Sequence, residues 1–451
     1  MIGRFPWEPF PQEEPEPKGP DPVPRGAFQA AVTAADAYRS VRAALRREEG
    51  VLRVGNRFVA DRRYRQVAFV ALGNAANSMA LGALHAVGDR LTQGFLAGPE
   101  KVLDELPFRG VAVPPGLPGF AVAEEVVRAA GEIAEGLGPQ DLLLILVSPG
   151  ALRSLTLPPA GVGWEEFARI FEGALAAGAT GREIGLLARV LGEGGVGGRI
   201  AEVATRCDTA TFVIDRGDGP LIVGGGPMDP VGGTERQEVR SLLARLGLTD
   251  RLPSSTLERT APGADATSRP PGVARPVVVA APSDALRAAA DSVFDRGWTS
   301  RLGYLMIREP PAAAAERFLA RVEELVVAEN LTDSSRTKGV AVFAMTTLGL
   351  PEGVDEGPAL AAFLTRAQEL VRRREMSVTL ARTSGALGSA EYPPAAIFGP
   401  PSDNRTAVPP DRARGIPMRR GITDVGALAI ALCGLPTTAG AVGSTAVRGS
   451  S

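Results

Sequence analysis

Two aspartates three residues apart are the first groups in this chain with a spacing that could do chemistry. Asp215 and Asp218 sit in Asp215-Arg216-Gly217-Asp218-Gly219-Pro220, straight after the apolar run Thr209–Ile214, and Gly224-Gly225-Gly226-Pro227 follows. Carboxylate oxygens on such a loop suit a hard cation such as Mg²⁺, which takes few protein ligands. The same residues also suit a loop and helix cap. A second candidate is Ser148-Pro149-Gly150, which ends the run DLLLILV at Asp141–Val147. An apolar run too short to cross a bilayer and closed by turn residues reads as a buried parallel strand feeding a loop and then a helix. A loop in that place can aim backbone N–H groups at an anion, and the helix terminus adds a favourable field. Pro149 removes one such N–H, and the Cβ atoms of Ala151 and Leu152 hinder close approach of a phosphate.

Asn74 lies in Gly73-Asn74-Ala75, after the strand candidate Gln66–Leu72. It can donate a hydrogen bond to developing charge but carries no charge of its own. The glycine-laden turn Gly192–Gly198 offers Gly197 and Gly198 as an anion-binding nest, or simply as a connection. Arg189 and Arg199 could grip a carboxylate or phosphate through two N–H groups, the alternative being ordinary helix surface charge. His85, the one histidine, falls inside an expected helix.

Composition narrows the classes. The 451 residues, 45% hydrophobic, are enough for two sizeable cores. With 49 basic and 51 acidic residues, the formal charge of −2 gives no electrostatic reason to expect a nucleic-acid partner. Cys207 and Cys433 stand far apart, so neither a disulfide framework nor a zinc site is indicated, and a cytoplasmic location is expected. No basic-then-apolar start suggests a signal peptide, and no run of about 20 apolar residues suggests a membrane helix.

These residues need elements to position them, and the pattern is an alternation of strands and helices. Gln66–Leu72, Gly110–Val113, Asp141–Val147 and Thr209–Ile214 are strand candidates, with helices over 74–91, Val122–Leu137, Trp164–Ala177, Glu183–Leu191 and Glu235–Leu246. That order implies an α/β fold with a largely parallel sheet covered on both faces. Residues 1–26 carry eight prolines among acidic residues, with Phe5, Trp7 and Phe10 near the start. They read as an extended, polyproline-like arm that is either a solvated tail or a segment docking on a neighbouring subunit. Residues 27–252 form the expected first α/β domain, 253–276 a linker rich in small residues and proline, 277–436 a second α/β domain with its own largely parallel sheet, and 437–451 a disordered tail.

The order of loops resembles the glycerate 2-kinase family, two-domain enzymes with a C-terminal MOFRL domain that phosphorylate D-glycerate with ATP. The resemblance runs over most of residues 27–435 and is weak residue by residue. Asp141–Leu155 looks like the family's strand and Ser-Gly-Gly-Gly-Ser loop. Asp215, Gly217, Asp218 and Pro220, with Gly226-Pro227, are similar to its DVxGDDP…SGP signature, and this match is the most specific. Gly197-Gly198-Arg199 is similar to a Gly-Gly-Arg, and Thr383–Gly388 and Gly421–Val425 are similar to two later loops. The resemblance implies ATP at Ser148, Gly150, Gly197 and Gly198, Mg²⁺ on Asp215 and Asp218, and glycerate or a similar hydroxy acid held by arginine, with Asn74 and Arg189 as the catalytic candidates.

The departures fall on the charged positions. The family's lysine in a Val-Gly-Lys-Ala context is matched here by Asn74, and losing one preorganised donor costs on the order of a hundred- to a thousand-fold in rate. Gly219 stands at the second aspartate of GDDP, Leu117 at the histidine of a Gly-His-Pro, and Ser384 and Leu387 at the acids of TDGxDG. Two readings follow. One is a pseudoenzyme that keeps the scaffold for assembly as a homo-oligomer, with no cofactor. The other is a divergent kinase using Mg·ATP.

Overall fold

The computed structural model describes residues 33–99, 106–114, 121–261, 273–295, 299–306, 310–330, 340–347, 378–383, 395–398 and 428–433, with isolated positions at 26–31, 116 and 362–373. The arm of 1–25, the tail of 437–451, Leu117, Ser384, Leu387 and Gly421–Val425 lie outside them.

Helix α1 (Ala37–Ala44) starts at Asp36, whose side chain accepts from the Arg39 N–H at 3.0 Å. It leads into an antiparallel meander of β1 (Leu45–Glu48), β2 (Val51–Val54) and β3 (Arg57–Ala60). The main body then runs β4 (Gln66–Leu72), α2 (Ala76–Val87), β5 (Leu91–Gly98), β6 (Arg109–Ala112), α3 (Val122–Glu135) and β7 (Asp141–Val147). A single turn α4 (Leu152–Leu155) and β8 (Thr156–Leu157) precede α5 (Trp164–Ala176) and α6 (Gly181–Leu191). Next come β9 (Glu193–Gly194), α7 (Arg199–Val203), β10 (Asp208–Ile214), α8 (Gly233–Arg245), α9 (Ser254–Glu258) and β11 (Val277–Ala280).

Six of these strands form one all-parallel sheet in the order β11-β10-β7-β4-β5-β6. β7 is central and buried along its whole length, which is why it reads as an unbroken apolar run. Its residues still alternate: Leu142, Leu144 and Leu146 join the core on one face, while Leu143, Ile145 and Val147 join the core on the other. At its start Asp141 has no exposed area and receives Arg65 Nε (3.2 Å), Arg65 Nη2 (3.0 Å), Gln66 Nε2 (3.1 Å) and the Gly138 N–H (2.9 Å). This cluster pins the Gln66–Asp141 register of β4 on β7.

The chain continues through α10 (Pro282–Phe294), β12 (Thr299–Met306), α11 (Pro311–Asn330), β13 (Val340–Thr347), β14 (Val378–Thr383), β15 (Ala395–Phe398) and β16 (Leu428–Cys433). The second sheet, ordered β12-β13-β16-β14-β15, corrects one expectation. Only β12 and β13 pair in parallel, and the remaining three pairings are antiparallel. The membership of β11 is a second correction. Val277–Ala280, expected to open the second domain, pairs with β10 and gives the first sheet its edge, because the outer N–H and C=O row of β10 needs partners. Part of the expected linker is likewise packed: Thr256 and Thr260 are buried, and the Ala274 N–H donates to Thr209 Oγ1. Among the described residues no helix is long and apolar enough to cross a membrane.

Candidate functional site

The strand order sets the carboxyl ends of β4, β7 and β10 side by side, so the loops at 73–75, 148–151 and 215–220 share one end of the sheet. That is where open parallel sheets hold ligands. The first two loops interlock. Ser148 is fully buried; its Oγ accepts the Ala75 N–H and donates to Leu72 O, both at 3.0 Å. The N–H groups of Gly73, Asn74, Ala75, Ser148 and Ala151 all donate to acceptors within the protein. Gly73 has φ +97°, and a Cβ there would fall 2.2 Å from Ser148 O.

Asn74 closes over Gly150. Its Oδ1 accepts from Arg153 Nη2 at 3.0 Å, and Arg153 Nε reaches Gly150 O at 3.4 Å. A Cβ on Gly150, whose φ is +93°, would lie 2.6 Å from Asn74 Oδ1 and 2.8 Å from Arg153 Nη2. Arg153 was not among the residues singled out from sequence. The signal for it was indirect: a neutral side chain at 74 leaves room for a cation at the start of the short helix after β7.

The rest of the cradle is filled from the turn at Val223–Gly225, just after the third loop. Gly224, at φ +62°, packs so that a Cβ would meet Val147 and Ala151 at 2.7 and 3.2 Å, and one on Gly225 would meet Val196 and Leu152. Ala151 and Leu152 are buried in that contact. Gly197 and Gly198 donate their N–H groups to Gly225 O (2.8 Å) and Gly226 O (3.0 Å), so these amides join two loops instead of forming a nest.

Arg189 also departs from expectation. It is 2% exposed, and its guanidinium binds Glu235 through Nε (2.7 Å) and Nη2 (3.3 Å) and the carbonyls of Gly225, Gly226, Asp229 and Pro230 at 2.8–3.2 Å. All three nitrogens are engaged within the protein, so Arg189 holds the 225–230 loop against α8 and has no fork to offer a substrate. Arg199 makes an exposed pair with Glu202. His85 lies away from these loops, its Nδ1 2.7 Å from Tyr38 Oη, with burial and then the Arg42 charge pushing its pKa down.

Asp215 and Asp218 do lie together on one loop, next to these. Asp215 Oδ1 accepts the N–H groups of Gly217 (2.8 Å) and Gly219 (3.1 Å). Burial pushes its carboxyl up; the backbone donors at Gly217 and Gly219 oppose this, and the Asp218 charge adds to it. Asp218 faces Arg216 Nε at 3.5 Å. With one oxygen capping the loop and the second carboxylate already beside a cation, the pair does not fit a resident Mg²⁺. Among the described residues no cluster of three acidic, histidine or cysteine side chains forms. A cavity of about 640 Å³ opens at the opposite end of the sheet, beside Arg63, Leu137, Arg206 and Cys207, where burial pushes the Cys207 thiol up to about 11.

Comparison with known proteins places this arrangement. Residues 24–260, more than half of the chain, match the family model described as Domain of unknown function (DUF4147), and the chain belongs to that family. Glycerate kinase of Danio rerio is 28% identical over 252 residues, 52% of this chain and 49% of that one. A protein of Agrobacterium vitis that carries the name hydroxypyruvate reductase is 31% identical over 187 residues, 41% of this chain and 47% of that one. The chain thus spans about half the length of these curated relatives. The solved glycerate kinase of Thermotoga maritima superposes with a TM-score of 0.65 at 19% identity, covering 91% of this chain and 98% of that one. A Pyrococcus horikoshii protein does so at 0.67 and 18%, with the same coverage. These two share the fold, and the curated relatives agree with the resemblance to the glycerate 2-kinase family seen in the sequence.

Proposed function

We propose that this protein is a glycerate 2-kinase-like scaffold whose phosphate cradle has closed, acting without catalysis in the assembly or regulation of a homo-oligomer. The observation that carries this reading is the interlock of Asn74, Gly150 and Arg153, which puts side chains where a phosphate would need backbone. The saturation of Arg189 supports it from the substrate side.

A second reading, a divergent kinase for D-glycerate or a related hydroxy acid, draws on Arg153 alone. Its buried guanidinium brings to the loop the positive charge that Asn74 lacks, and such a charge would neutralise a transferring phosphoryl group. In that reading ATP lies against Ser148 and Gly150, and Mg²⁺ arrives with the nucleotide.

One experiment separates the two. Full-length protein is assayed for glycerate-dependent ADP release at millimolar Mg·ATP, and for NADH oxidation with hydroxypyruvate because of the A. vitis relative's name. The scaffold reading expects neither activity and no thermal shift with Mg·ATP, since a ligand that binds the native state raises apparent stability by mass action. ADP release that disappears in Arg153→Met would replace it with the kinase reading.

A further inference from the structure

The β1–β3 meander presents an outer face with nothing on it among the described residues. Cross-strand partners in an antiparallel pair share a face, and the register sets Arg46, Arg53 and Phe58 in one row and Glu48, Val51 and Ala60 in the next. Leu52 and Val54 of the same ribbon point the other way, into the core. Phe58 is 72% exposed and Val51 41%. The Arg53 guanidinium lies 5.9 Å from the Phe58 ring centroid. Arg46 pairs with Glu48 along this face at 2.5 Å, and an exposed aromatic beside Arg53 suits a proline- and aromatic-rich segment bearing carboxylates.

The chain carries such a segment. Residues 5–16, FPWEPFPQEEPE, hold Phe5, Trp7, Phe10, four prolines and four glutamates with no basic residue. We propose that the outer face of the meander receives residues 5–16 of the same chain, with the rings and prolines on Phe58 and Val51 and the glutamates toward Arg53. Reach favours the chain's own segment. Ala27 and Ala31, just beyond it, are buried in the same core cluster as Leu45, Leu52 and Val54 of the ribbon. The eleven residues from Glu16 to Ala27 span about 34 Å at ~3.1 Å per residue, whereas a four-residue strand is about 13 Å long. A tethered segment competes at a high effective concentration, so docking on its own chain replaces the expected docking on a neighbour. The proposal stands apart from the fate of catalysis, and either can fail without the other.

The test uses full-length protein labelled with 5-fluorotryptophan, in which Trp7, Trp164 and Trp298 give three ¹⁹F resonances, with Trp7 assigned by Trp7→Phe. The expected result is a shifted, broadened Trp7 line, at least twofold protected from a soluble quencher. Phe58→Ser should return that line to its free position while leaving Trp164 and the thermal midpoint unchanged. Reversing Glu13, Glu14 and Glu16 to Lys should do the same without touching the meander. A free Trp7 line in the unaltered protein, a shifted line indifferent to both changes, or a shift lost on dilution, which would mean a second copy as receiver, each overturns the proposal.

Discussion

Arg189 shows how much a single residue can mislead when only its type is known. On α6 it stands among Ile184, Leu187, Ala188 and Leu191, all buried, and an arginine on the apolar face of a helix must be paired to be there at all. Read that way, Glu235 three residues into α8 was a findable partner; what could not be foreseen were the four carbonyls of the 225–230 loop. We expect Arg189→Lys, which keeps the charge but loses the fork, to cost about 3 kcal/mol and lower the melting midpoint by roughly 6–12 °C. Chemical and thermal denaturation would measure it, and an unchanged midpoint would remove the structural role. Gly150 gives a second expectation. Gly150→Ala should cost about 2 kcal/mol, part from its positive φ and part from the Asn74 contact. In an Asn74→Ala background the cost should fall to about 1 kcal/mol, the coupling appearing as a double-mutant cycle.

Among the elements, the parallel strands were legible because burial on both faces leaves an apolar run, and β4, β7 and β10 lie where the sequence set them. The meander was not legible. LRRE, VLRV and RFVA are short and charged, and their β structure comes from a tight turn and from packing over β10 and β11, where Gly55 approaches Val277 and Phe212. The sheet's amino end carries a pH expectation. Burial works to raise the Asp141 carboxyl, but the hydrogen bonds from Arg65, Gly138 and Gln66 overcome it and hold the group below the usual carboxylate range. An acid whose folded pKa lies below its unfolded value of about 4 stabilises the fold above that pH, and the benefit is lost as pH falls through the lower folded value. Arg65 is largely exposed, so solvent screens the pair. Asp141→Asn should therefore cost about 1–2 kcal/mol at pH 7 and progressively less as pH is lowered below about 4, read from urea midpoints across that range.

At the scale of the whole molecule, α10 ties the halves together. Its Ala285, Leu286, Ala289, Ala290 and Val293 are buried in the core that covers one face of the first sheet, and the same helix packs against β12 and β13 of the second. Composition allowed two cores but could not show one helix serving both, because a uniformly alanine-rich helix does not say which neighbour takes which side. Leu286→Ala should cost about 2–4 kcal/mol and lower the calorimetric midpoints of both sheets together; a shift confined to one transition would mean that the halves melt independently.

The interlock of Asn74, Gly150 and Arg153 also restricts the order in which this sequence could change. A lysine brought to position 74 would set its ammonium against the Arg153 guanidinium in the space where Oδ1 now accepts a hydrogen bond. Arginine 153 would have to be lost first, and that intermediate leaves Asn74 facing a gap. Gly150, meanwhile, is held in place by the side chains above it whether or not a nucleotide ever comes near. The glycine at 150 therefore records a neighbour's shape, and a path from Asn74 to a lysine at that position runs through a less stable protein.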